Sequence, residues 1–203
     1  MRRKPVYFVF LTLISSFALV QCQDSDQNKT PESSTPKSTY GGFDSQEQWG
    51  EHLVSSSGCN DCHSPKKMTP QGPVIDSTLL LSGHPAQMPD PDVDRKQLES
   101  KGVAATQDLT AWVGPWGISY SANLTSDSSG IGAWNEGQFI YAIREGKYKG
   151  LQNSRPLLPP MPWQSFRNFS DDELKAMFAY LKMTKPIKNV VPAPKPPVSA
   201  AAH

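Results

Sequence analysis

Gly58-Cys59-Asn60-Asp61-Cys62-His63 is the stretch on which the reading of this chain turns. Two cysteines three positions apart, on a turn that ends a helix, can reach the two vinyl groups of one porphyrin. The adjacent imidazole then faces the iron from the same side. C-x-x-C-H is the attachment signature of haem c, with Cys59 and Cys62 as thioether donors and His63 as the proximal ligand. Two other chemistries use paired cysteines. A zinc site would want further Cys or His, and outside the motif the histidines are only His52, His84 and His203. A thioredoxin-like dithiol belongs within a βαβ pattern, which is absent. One motif implies one haem, covalently attached.

Working outward, the sequence reads as helices and loops without convincing strand alternation. Gln46 to Ser57 is a helix candidate carrying Trp49, Leu53 and Val54, with His52 exposed on it. Asn135 to Glu145 places Phe139, Ile140, Ala142 and Ile143 largely on one face, and Gly146 is its stop. Asp171 to Met183 is the best defined: Ser170 and Glu173 form an S-x-x-E capping box, and Leu174, Met177, Phe178 and Leu181 keep helical spacing. A weaker helix covers Val93 to Glu99. The fold class expected is therefore all-α, about four helices with long loops around one covalently bound haem. So much irregular chain implies that something besides side chains fills the centre. The five tryptophans (49, 112, 116, 134, 163) read mainly as core, as do Met177 and Met183. Trp116, Trp163 or Arg155 could alternatively serve a haem propionate.

A sixth ligand could come from Met161, His84, Met88 or Met68, or the position could be open. Met161 stands out in Leu157-Leu158-Pro159-Pro160-Met161-Pro162-Trp163. Prolines restrict the backbone on both sides of it, so less conformational freedom is lost when its sulfur binds iron. His84, in Leu79-Leu80-Leu81-Ser82-Gly83-His84-Pro85, is the rival; bis-histidine ligation would lower the reduction potential relative to His/Met.

The chain starts with a positive segment, Arg2-Arg3-Lys4, followed by a mainly apolar run from Val6 to Val20. That is an export signal rather than a bilayer span. Residues 1–21 form the expected signal peptide. Leu19-Val20-Gln21-Cys22 resembles a bacterial lipoprotein box in which Cys22 is acylated, although Gln21 stands where a small residue is usual. Ordinary secretory cleavage or an uncleaved anchor are the alternatives. With Cys22 lipidated and Cys59 and Cys62 in thioethers, all three cysteines are used. Residues 22–42 are polar and rich in Ser, Thr and Pro, a flexible tether. The domain is expected at 43–190, followed by a Pro/Ala-rich tail over 191–203. Twenty basic against 19 acidic residues leave no basic footprint for nucleic acid. Three Asn-x-Ser/Thr sequences, at Asn28, Asn123 and Asn168, carry no meaning in a bacterial lipoprotein.

Gly50-Glu51-His52-Leu53-Val54 leading into Gly58–His63 resembles the opening of a class I cytochrome c domain. Five further blocks, in order, are similar to the monohaem-type domains of cytochrome subunits of bacterial periplasmic dehydrogenases. They are Gly114–Gly117, Ala122–Thr125, Gly130–Trp134, Phe139 with Ala142–Arg144 and Gly146, and Leu158–Trp163. The resemblance spans about residues 48–185. It implies that Gly50 lets the first helix cross the last near Phe178, Ala179 and Tyr180, and that His63 and Met161 are the axial ligands. The function expected is one-electron transfer in the periplasm or cell envelope, without intrinsic catalysis. The partners expected are a redox donor and acceptor, such as a membrane-bound dehydrogenase or oxidase, with the membrane reached through the lipid anchor. The alternative is a haem enzyme or gas sensor with a displaceable sixth ligand.

Overall fold

Ser45 opens the first helix: its hydroxyl accepts from the Gln48 N–H at 3.2 Å, satisfying one donor that a helix start leaves unpaired. The computed structural model describes residues 39–198, so the signal, Cys22 and most of the tether lie outside the described residues. The helix so capped, α1, spans Gln46–Ser56. It is followed by α2 (Cys59–His63), β1 (Lys66–Thr69), β2 (Gly72–Ile75), α3 (Arg95–Lys101), β3 (Ala105–Thr106), β4 (Ala111–Gly114) and β5 (Gly117–Tyr120). Last come α4 (Glu136–Glu145), α5 (Trp163–Phe166) and α6 (Asp171–Met183). Among the described residues no helix is long and apolar enough to cross a membrane.

The main core forms where α1 crosses α6. Both arms of the α6 capping box are present: Glu173 N–H to Ser170 Oγ at 3.2 Å, and Ser170 N–H to Glu173 Oε2 at 2.7 Å. The apolar stripe Leu174, Met177, Phe178 and Leu181 is buried, joined by Leu53 and Val54 of α1 and by Phe139 and Ile143 of α4. Gly50 is the contact point. A Cβ there would lie 1.9 Å from the Ala176 carbonyl oxygen and 2.9 Å from Tyr180 Cβ. The crossing is thus centred on Ala176 and Tyr180, slightly before the position the resemblance implied. Met183, expected in the core, is 70% exposed at the helix end. The five tryptophans are half-buried, and Trp49 and Trp134 pack against this core.

The all-α expectation is corrected by two small antiparallel sheets. β1 and β2 form a hairpin pairing Lys66 with Ile75 and Thr69 with Gly72. The second sheet has the order β3-β4-β5, with Ala111 opposite Tyr120 and Gly114 opposite Gly117. These strands are four residues or fewer, and β4 and β5 bury neighbours on both faces: Ala111, Val113, Ile118 and Ser119. A short strand buried on both sides shows no alternation of apolar and polar residues. The turn Gly114-Pro115-Trp116-Gly117 was the readable signal, since Gly117 takes φ +94°, a conformation natural only to glycine.

The chain after α6 crosses the surface as an ordered strap. Lys195 pairs with Ile118 of β5 through two backbone hydrogen bonds of 2.8 and 3.0 Å. Asn189 donates from Nδ2 to the Ser82 and His84 carbonyls at 2.7 and 2.9 Å. These contacts continue past residue 190, the expected end of the folded part.

Candidate haem-binding site

Gly58 takes φ +72°, which lets the chain leave α1 and turn at once into α2. That short helix carries Cys59, Cys62 and His63 within five residues. Both cysteines are unbridged. Burial pushes the Cys59 thiol up to about 11 and also raises Cys62. Neutral thiols are the opposite of the stabilised thiolate that a redox dithiol exploits.

His63 is held by its far nitrogen. Nδ1 lies 2.8 Å from the Ala122 carbonyl oxygen, which can only accept, so Nδ1 keeps the proton and Nε2 keeps its lone pair. Burial holds the ring below the ordinary histidine pKa, against the opposing pull of that carbonyl. The result is a neutral imidazole with a fixed tautomer, the form that ligates metal.

The wall behind His63 consists of two segments laced together. Gly83 N–H donates to the His63 carbonyl at 2.8 Å, His84 N–H to Ser121 at 2.9 Å, and Leu124 N–H to Leu81 at 2.8 Å. His84 is 1% exposed. Its Nδ1 donates to Thr110 Oγ1 at 2.8 Å, because the Thr110 hydroxyl hydrogen is directed at Asp108. Its ring lies against Tyr120, with centroids 5.0 Å apart. His84 is thereby fixed by its backbone to Ser121, beside the Ala122 acceptor of His63, and by its ring to Thr110 and Tyr120.

Met161 sits on a loop tied to the end of α4. Leu157 N–H donates to the Gly146 carbonyl at 2.7 Å, and Met161 N–H to Leu158 at 3.2 Å. The Trp163 ring covers Gly146, where a Cβ would come within 2.4 Å of it. Met161 and Cys59 both pack, half-buried, against the core between α1, α4 and α6, with Leu124, Trp134 and Ile140. Met68, by contrast, is 78% exposed. Trp116 is engaged: its indole N–H donates to Ser119 Oγ at 3.1 Å, which removes it as a donor to a propionate. Arg155 donates to the Pro156 carbonyl at 2.9 Å and lies over the Tyr148 ring.

With that geometry in view, comparison with known proteins gives partial matches. The chain is 40% identical over 80 residues to a subunit of the nicotinate dehydrogenase of Pseudomonas putida, covering 39% of this chain and 6% of that protein. It is 40% identical over 67 residues to the gluconate 2-dehydrogenase cytochrome c subunit of Pantoea cypripedii, 32% of this chain and 14% of that one. It is 30% identical over 112 residues to the cytochrome c subunit of the quinone alcohol dehydrogenase of Gluconacetobacter polyoxogenes, 54% and 23%. The chain thus spans under a quarter of the length of these relatives. No family model matches it.

The residues present fit haem c. His63 offers Nε2, which makes no hydrogen bond among the described residues; two uncharged thiols lie beside it; and a thioether shares the core that Cys59 flanks. Among the described residues no three His, Cys, Asp or Glu side chains gather to hold an ion. Sequence reasoning missed Ala122 and Ser119, which act through contacts 59 and 40 residues away. Asn123, which the sequence offers within the Ala122–Thr125 block and as a glycosylation pattern, has a structural role. It is 4% exposed, closes a turn on Thr125 and donates to the Ile187 carbonyl of the strap.

Proposed function

We propose that the chain is a monohaem c-type cytochrome that carries single electrons in the cell envelope. Haem c would be attached through Cys59 and Cys62, with His63 and Met161 as axial ligands. The observation that carries this reading is a neutral His63 within C-x-x-C-H, its Nδ1 pinned by Ala122 and its Nε2 left available. When bound, the group supplies ferric/ferrous one-electron chemistry. The protein's part is to hold His63 in one tautomer, to keep the Met161 sulfur on a proline-restricted loop, and to pack Met161 and Cys59 against the apolar core. A thioether ligand raises the potential relative to a second histidine.

The relatives are named as subunits of dehydrogenases, which supports a dehydrogenase as electron donor here and a second redox protein as acceptor. Lipidated Cys22 and the polar stretch behind it would tether the domain to a membrane and raise its local concentration at such partners.

The test is a visible spectrum of the exported protein, oxidised and reduced, with carbon monoxide added to the reduced form. Wild type and Cys22→Ser are also compared by membrane fractionation. Sharp low-spin bands, a far-red sulfur-to-iron band when oxidised and no response to the gas are expected, with only the wild type sedimenting with membranes. A high-spin, gas-binding haem would make the protein a sensor or enzyme and overturn the carrier. Cys22→Ser remaining in the membrane fraction would overturn the anchor.

A further inference from the structure

Three prolines shape the Met161 loop but contribute no N–H, and the single donor at Met161 is spent within the loop on Leu158. Leu157 N–H ties the start of the loop to Gly146, and the proline segment after it takes its position from what meets its carbonyls. We propose that Ser119, on the three-stranded sheet, is a positioning residue for Met161. This rests on the reading that Met161 is the sixth ligand.

Ser119 is 7% exposed. A hydroxyl has one hydrogen to give, and its direction here is unambiguous. The Trp116 indole N–H can only donate, at 3.1 Å, and the Pro159 carbonyl can only accept, at 2.5 Å. Ser119 thus bridges the hairpin turn to the residue two before Met161. The strand beneath it is held from both sides. β4 pairs along one edge, and Lys195 of the strap pairs with Ile118 on the other. Gly117 is so close to the strap that a Cβ would lie 2.0 Å from the Lys195 carbonyl. Three residues beyond Ser119, Ala122 offers the acceptor for His63 Nδ1. One short run of chain therefore sets the positions of both axial ligands, and Ser119 is its contact with the methionine side.

Without the Ser119 hydroxyl, the Pro159 carbonyl and Trp116 N–H both lose their partner, and states with the methionine detached gain population. An external ligand that needs such states binds more tightly in proportion. The probe is imidazole, titrated into the oxidised, haem-loaded full chain, with the sulfur-to-iron band followed in parallel. Ser119→Ala is expected to bind imidazole about tenfold more tightly than wild type, the factor that losing one buried hydrogen bond implies. Trp116→Phe keeps the Pro159 bond and is expected to bind as wild type does. If Ser119→Ala yields no haem-loaded protein, Ser119→Cys, a near-isosteric and weaker donor, should show an intermediate increase.

Unchanged imidazole affinity in the Ser119 variant that loads haem overturns the proposal. So does an equal increase in Trp116→Phe, since the effect would then belong to the hairpin as a whole. A wild type without the sulfur band would instead defeat the Met161 assignment on which the proposal stands.

Discussion

His63 meets two separate requirements for a ligand, and different parts of the molecule supply them. Burial keeps the ring neutral, and the Ala122 carbonyl decides which nitrogen keeps the proton. His84 is also held below the ordinary histidine pKa by burial, with its Nδ1 bonded to Thr110 and its ring against Tyr120. Substitution separates the two candidate sixth ligands. Met161→Ala is expected to abolish the sulfur-to-iron band and open the site to carbon monoxide. His84→Ala should keep the Met-ligated spectrum while losing about 2 kcal/mol of stability, from the Thr110 hydrogen bond and the cavity left behind. Visible spectra and thermal unfolding of both variants check this; a His84→Ala protein that binds the gas while Met161→Ala does not would reverse the assignment. The C-x-x-C-H motif and the proline-flanked methionine were legible because each is a local pattern. The support of His63 was not, because its acceptor is a backbone atom 59 residues away, and every residue type carries such a carbonyl.

At the scale of elements, legibility followed locality in the same way. α4 and α6 announced themselves through signals contained within each segment: the apolar face and Gly146 stop of α4, and the stripe and Ser170–Glu173 capping box of α6. β4 and β5 did not, since both are buried on two faces and owe their existence to each other and to the strap. The α1–α6 contact lies between: Gly50 could be noticed, but only the crossing shows what it meets. A Cβ 1.9 Å from the Ala176 carbonyl oxygen faces backbone, which has little freedom to yield in a packed interior. Gly50→Ala is therefore expected to cost about 3 kcal/mol, roughly 6–12 °C in Tm for a protein of this size. Calorimetry of the haem-loaded protein measures it. An unchanged Tm would mean that the helices do not touch backbone to backbone in solution.

For the molecule as a whole, the segment after α6 joins regions that are otherwise far apart in sequence. It contacts residues 82–86, 118 and 123–129, together with α3, where Arg95 reaches the Pro196 carbonyl and Glu99 accepts the Val198 N–H. Composition alone read this proline-rich stretch as a tail, because proline removes the donors by which a segment would pair with itself and leaves it dependent on partners elsewhere. One of its anchors titrates. Asp90 accepts from the Tyr120 hydroxyl at 2.6 Å and pairs with Lys195 at 2.5 Å. Burial alone would raise the Asp90 pKa, but these two donors overcome it and hold the carboxyl below its ordinary 3.8. The folded state therefore binds that proton less readily than the unfolded chain does. The stabilisation is fully present above the unfolded value and is lost as pH falls through the lower folded value. Asp90→Asn should be less stable than wild type near neutral pH, and the gap between the two should close as pH falls below about 4. Denaturant unfolding of both proteins from pH 7 to pH 3 measures that gap. A difference that stays constant across the range would show that the strap is held without the Asp90 charge, by its backbone pairing with Ile118 and the amide of Asn189.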